Sequence, residues 1–182
     1  MKVREGSLMI VQRKKNLPWR LVPMSEEHAR QICEWRYEGP YAIYNWSTWE
    51  ELCRKQEEFA DPEIRVQQYL SAITDGTEAA GPTDTTEQLC GFAQLFPLVG
   101  ITRLGLGLRP DLCGCGIGSA FVELIAQEAC NRQPANEIDL EVLVWNTRAI
   151  KAYERAGFHI TDTYERGTPT GPDIFHCMVY NP

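Results

Sequence analysis

No stretch of this sequence stays apolar for anything near the roughly 20 residues that a membrane-crossing helix needs, so no membrane partner is expected. The early run SLMIV is too short for a signal-peptide core. Metal-ligand spacing is missing as well. The seven cysteines are scattered without a CxxC pair, and His28, His159 and His176 each stand alone, so no metal is expected. Basic charge is in short supply: Lys and Arg number 18 against 25 Asp and Glu, for a net charge of −7. That balance excludes the basic face that nucleic acid requires and slightly favours a cationic partner such as an amine. There is no internal repeat and no charge run to mark a linker. The 182 residues therefore read as an N-terminal tail or loosely held segment, 1–16, before a single domain, 17–182. Scattered reduced thiols point to the cytoplasm.

What the chain does have is concentrated between Leu104 and Ala129, LGLGLRPDLCGCGIGSAFVELIAQEA. Leu104, Leu106 and Leu108 alternate with Gly105 and Gly107, the period of a strand with one apolar face and one bare face against which a ligand could lie. Pro110 ends the ladder. Gly114, Gly116 and Gly118 then lead into a helix whose apolar stripe is Phe121, Leu124, Ile125 and Ala129. A glycine loop feeding a helix start presents free N–H groups and a partial positive charge, so the residues Cys113, Gly114, Cys115, Gly116, Ile117, Gly118 and Ser119 predict a phosphate-bearing ligand. A Walker loop is a poor match because GIGSA has no lysine. A dinucleotide fingerprint has the wrong spacing and lies too late in the chain. Acyl-coenzyme A accounts for both features, with its diphosphate on the loop and its pantetheine arm running beside the strand at Leu106 and Leu108. A thiol at a helix start can have a lowered pKa, which leaves a redox role for Cys113 and Cys115 as the alternative to inert thiols.

LRPDLCGCGIGSAF followed by LEVLVWNTRAIKAYERAGF resembles the acetyl-coenzyme A motifs of the GNAT N-acetyltransferase superfamily, specifically over Leu89–Phe158. In that superfamily the loop reads Gln/Arg-x-x-Gly-x-Gly/Ala. Gly116 and Gly118 fill the glycine positions, and Cys113 stands where the amide or basic side chain is usual. The second segment is similar to LEVxxxNxxAxxxYxxxGF of the ribosomal-protein N-terminal acetyltransferase branch, with Leu143 where that branch usually has arginine. The resemblance implies acetyl-CoA as co-substrate, Glu141 as base directly or through water, Asn146 on the pantetheine arm and Tyr153 as general acid.

The residues support these roles on their own terms. Glu141 sits on a strand otherwise short of charge, where desolvation would make its carboxylate a better base. Asn146 can cap the next helix, and Tyr153, seven residues on, lies two turns along the same face. A phenol stays protonated at neutral pH, as an acid for the leaving sulfur must. Arg155, near the helix end, is placed to touch the nucleotide phosphates.

The second place to look is GPYAIYNWSTW and the rings before it. Trp35, Tyr37, Tyr41, Tyr44, Trp46 and Trp49 crowd into fifteen residues between two expected helices, Ser25 to about Tyr37 and Trp49 to about Phe59. Aromatics on a connection can wall a pocket, and the superfamily places its acceptor site between the first two helices. Tyr37, Tyr41, Tyr44 and Trp46 are therefore candidate acceptor contacts. Strand, helix and strand from Leu104 to Val144 suggest a parallel crossover, and HITDTYER with DIFHCMVY an antiparallel pair. The fold class expected is α+β, the acyl-CoA N-acyltransferase fold, with a mixed, mostly antiparallel, splayed sheet flanked by helices. The function expected is transfer of acetyl from acetyl-CoA to a primary amine of a small molecule or peptide by direct attack in a ternary complex. A coenzyme-binding sensor without turnover and a nucleotide-binding oxidoreductase are the rivals, and a homodimer is left open.

Overall fold

The computed structural model describes residues 19–74, 87–168 and 171–182. The expected N-terminal segment 1–16 lies outside them. Among the described residues seven strands form one sheet in the order β1-β2-β3-β4-β5-β7-β6. They are β1 (Trp19–Pro23), β2 (Tyr69–Thr74), β3 (Gln88–Leu98), β4 (Ile101–Leu108), β5 (Glu137–Leu143), β6 (Phe158–Thr168) and β7 (Gly171–Tyr180). β4 and β5 run parallel and the other neighbouring pairs antiparallel, so the mixed, mostly antiparallel α+β sheet is as expected.

Helices cover both faces. α1 (Glu26–Glu34) is capped by Ser25, whose Oγ accepts from His28 N at 3.1 Å. α2 (Trp49–Lys55) is capped by Thr48, and α3 (Pro62–Gln68) by Asp61 with proline at its first position. Both of the first two helices stop short of the expected ends. α1 stops at Glu34 because Trp35 turns extended and packs on Phe92, ring centroids 6.1 Å apart. α2 stops because Gln56 takes a left-handed conformation, φ 53°. α4 (Gly118–Arg132) makes the crossover between β4 and β5. α5 (Thr147–Arg155) is capped by Asn146 and is followed by Gly157 at φ 99°, a left-handed turn that ends the helix.

Side chains alternate across the strands, so two cores form. On one face Phe121, Ile125, Leu140, Phe158 and Met178 pack between sheet and α4–α5. On the other Ile32, Leu52, Phe59, Tyr69 and Ile73 pack between sheet and α1–α3. Each such side chain contributes about 1.5–3 kcal/mol by leaving water. Among the described residues no helix is long and apolar enough to cross a membrane.

Candidate active site

β4 pairs with β5 over only Ile101–Leu104 against Glu137–Leu140. On its other side Arg109 N donates to Cys90 O at 2.8 Å, which fixes the odd-numbered residues of β4 toward β3. The main-chain groups of Leu106 and Leu108 therefore point the opposite way, into a gap where β5 has already diverged. A cavity of about 520 Å³ fills that gap and reaches the glycine loop. The bare face of β4 that the alternation suggested as a ligand platform is not open. Gln94 lies over Gly105, and the Phe92 ring lies where a Cβ of Gly107 would be. These glycines admit the side chains of β3, and the ligand-sized space lies at the strand's free edge.

Leu106, Leu108, Cys113, Gly114, Gly116, Gly118, Ser119, Asn146 and Arg155 all line the cavity, whereas Cys115 and Ile117 of the same loop do not. Gly114 and Gly116 have φ of 83° and 78° and open space where a Cβ would sit. Gly118 is there for another reason: its Cβ would come within 3.4 Å of Ala152, so it lets α4 and α5 approach. α4 has no side-chain cap, which leaves its first amides to the cavity side of the loop. Arg148, Lys151 and Arg155 border the same space from α5. The Cys113 thiol turns back to within 3.8 Å of Leu108 O, and burial raises its pKa rather than lowering it. That removes the physical basis of the redox alternative at this residue.

Glu141 and Tyr153 both line the cavity. Glu141 is not the lone carboxylate that its own strand implied. Oε1 accepts from Arg103 Nη1 at 2.8 Å and from the Tyr164 hydroxyl, and Oε2 accepts from Arg166 Nη1. Arg103 also holds Asp139 of the same strand, through Nε at 2.9 Å and Nη2 at 2.5 Å. Burial, reinforced by the bond to Glu141, pushes the Tyr164 phenol up to about 12. Burial likewise raises the pKa of Tyr153, with the nearby Tyr44 phenol adding to the rise, so Tyr153 is a firmly protonated donor. Asn146 Oδ1 accepts from Ala149 N at 3.2 Å, and its Nδ2 donates to the Tyr44 hydroxyl at 3.0 Å.

The aromatic segment divides. Tyr37 and Tyr44 line the cavity, and Tyr37 donates its hydroxyl proton to Leu108 O at 2.7 Å. Asn45 closes the segment on itself, accepting from Tyr37 N at 2.7 Å and donating to Tyr37 O at 3.2 Å. Tyr41 is set back, its ring 5.6 Å from Trp145 and under the Arg148 guanidinium at 4.1 Å. Trp46 faces away, against Phe59 at 4.7 Å in the second core. Sequence reasoning passed over Arg103, Tyr164, Arg166 and Arg148. The first three come from other strands, at 38, 23 and 25 residues from Glu141, and nothing local announces them.

A family model described as the acetyltransferase (GNAT) family matches residues 29–158. No curated protein sequence matches. Among solved structures, a chimera of the Vibrio cholerae spermidine N-acetyltransferase SpeG with hSSAT is similar with a TM-score of 0.65 at 15% identity, over 90% of this chain and 95% of that one. AAC(6')-Ib in complex with ribostamycin and coenzyme A gives 0.61 at 20% identity, over 88% and 93%. A ribosomal-protein-alanine N-acetyltransferase from Escherichia coli gives 0.56 at 19% identity, over 89% and 92%.

Proposed function

The chain belongs to the GNAT acetyltransferase family, and from that premise we propose that the gap between β4 and β5 takes the acetyl-CoA arm and delivers its acetyl group to a primary amine of a small molecule or peptide. The observation that carries the reading is the edge of β4 that no strand pairs beyond Leu104, where Leu106 faces the gap and Leu108, its carbonyl taken by Tyr37, leads on to the uncapped glycine loop. An extended amide-bearing arm can pair with that edge as an added strand would, and a diphosphate suits the amides between Cys113 and Ser119. Asn146, at the far wall, fits the arm as well. The single domain 17–182 is proposed to be the whole catalytic unit, and the free thiols of the described residues suit a reducing cytoplasm.

Glu141 is the proposed base. Its two oxygens are not equivalent: Oε1 is held by Arg103 and the Tyr164 phenol, while Oε2 meets Arg166, whose side chain is 49% exposed. The exposed guanidinium is the partner that can swing out, leaving Oε2 to accept the amine proton directly or through a water. Tyr153, kept protonated by burial, supplies a proton to the departing sulfur. No covalent enzyme intermediate is required, since both reactants meet in one cavity.

The test is a thiol-release assay on purified protein with acetyl-CoA and a panel of polyamines, aminoglycosides, amino acids and peptides. Release that depends on one amine class supports the proposal. Tight coenzyme A binding with no release for any amine would leave a sensor instead.

A further inference from the structure

We propose that Tyr44 is a further catalytic residue: its phenol proton hydrogen-bonds the carbonyl oxygen of the bound thioester and holds the charge that gathers there when the amine adds. This rests on the acetyl-transfer reading above and goes beyond it in assigning the oxyanion donor.

The geometry that points to it begins at Asn146. Its Oδ1 is committed to the Ala149 N–H at the head of α5, so the amide cannot turn over and Nδ2 must be the group facing Tyr44. The Tyr44 oxygen is therefore an acceptor toward Asn146, and its own proton is directed elsewhere. Among the described residues nothing accepts that proton, yet the side chain lines the cavity. Tyr44 is 39% exposed, so in the free protein this proton meets water on the cavity side, and a carbonyl oxygen seated in the cavity would take that water's place.

The phenol is also held in place, which a donor to a developing charge must be. Its ring lies 6.3 Å from that of Trp145, and its segment is tied by Asn45 to Tyr37, which in turn is tied to Leu108 O at 2.7 Å. Burial raises the Tyr44 pKa, so the proton is present at working pH. Tyr153 cannot fill this role as well, because one phenol proton cannot serve the sulfur and the carbonyl oxygen together.

In the step itself the amine nitrogen bonds to the carbonyl carbon, and the carbonyl electron pair moves onto oxygen against the Tyr44 O–H. The pair returns as the carbon–sulfur bond breaks. The sulfur takes the Tyr153 proton, the surplus proton on nitrogen goes to Glu141, and water then carries that proton from Glu141 back to Tyr153. Tyr44 keeps its proton throughout.

The experiment is Tyr44→Phe, which keeps the ring against Trp145, measured with whichever amine the thiol-release panel identifies. Loss of one such donor costs about 10²-fold in kcat. KM for the acceptor and the affinity for coenzyme A by calorimetry should each stay within about 10-fold, the most that a lost neutral hydrogen bond is worth. A kcat within that same margin of wild type overturns the proposal. So does a raised acceptor KM with kcat kept, which would make Tyr44 a wall, or a coenzyme A affinity that falls as far as the rate, which would make it a prop for Asn146. A wild-type protein that releases no thiol with any amine would instead overturn the acetyl-transfer reading on which this one stands.

Discussion

Glu141 sits in the cavity under a load that its own strand does not reveal. Two guanidinium groups and a phenol converge on it from β4 and β6. If it is the base, Glu141→Gln should lower kcat by about 10²-fold or more while coenzyme A still binds, as measured by calorimetry. Tyr153→Phe should behave alike, and the pH profile separates the two. Burial raises the Tyr153 phenol above its ordinary value, so kcat should climb as the acceptor amine loses its proton and show no alkaline fall below about pH 10. A fall near neutrality that Tyr153→Phe abolishes would contradict this. Tyr164 gives a stability counterpart. Its pKa is about 12 in the folded chain against about 10 unfolded, so the folded state holds this proton more tightly. That contribution is intact below the unfolded value and is lost as pH rises toward the folded one, which urea titrations in that window would show as a decline that is smaller in Tyr164→Phe. At this scale Asn146 and Tyr153 were legible because a helix fixes their spacing. Glu141 was legible as a position but not in its surroundings, because cross-strand partners follow from register and not from neighbours in sequence.

Among the elements, the alternation Leu-Gly-Leu-Gly-Leu identified β4 correctly and its use incorrectly. The glycines of β4 make room for Phe92 and Gln94 of β3, whereas those of the loop make room for positive φ. The same residue type thus serves packing in one element and conformation in the next, and only the paired strand tells them apart. Two substitutions should show the difference. Gly107→Ala forces a methyl group into the Phe92 ring, and overpacking of this kind costs about 1–3 kcal/mol, read as a lower denaturation midpoint. Gly116→Ala meets no neighbour but must hold φ of 78°, at a cost of about 1–2 kcal/mol that the loop can escape only by changing shape. It should weaken coenzyme A binding about tenfold with a smaller loss of global stability. Equal effects of the two variants on coenzyme binding would mean that the loop does not form the diphosphate site. The aromatic stretch shows the same limit: the composition flagged a wall, but which rings face the cavity depends on how the chain leaves α1, and Trp46 went to the core while Tyr44 did not.

Over the whole molecule the parallel pair is the decisive feature. Antiparallel ladders run through β1-β2-β3-β4 on one side and β5-β7-β6 on the other, and the two sets meet at four residue pairs from Ile101 to Leu104. Beyond those pairs the sheet is held by α4 and α5, so an arm threaded into the gap would join the two halves along the rest of their length. Coenzyme A at about 100 times its dissociation constant should add about 2.7 kcal/mol of stability, and for a chain of this size each kcal/mol raises Tm by about 2–4 °C. The position of the gain matters more than its size. Leu106 and Leu108 present amides to the gap, and pairing with the arm should slow their hydrogen exchange relative to the free protein. Adenosine 3′,5′-diphosphate carries phosphates but no arm. It should protect the loop between Gly114 and Ser119 and leave those two strand amides exchanging as before. Equal protection of Leu106 and Leu108 by both ligands would show that they respond to a general tightening of the sheet, and the threaded arm would have to be abandoned.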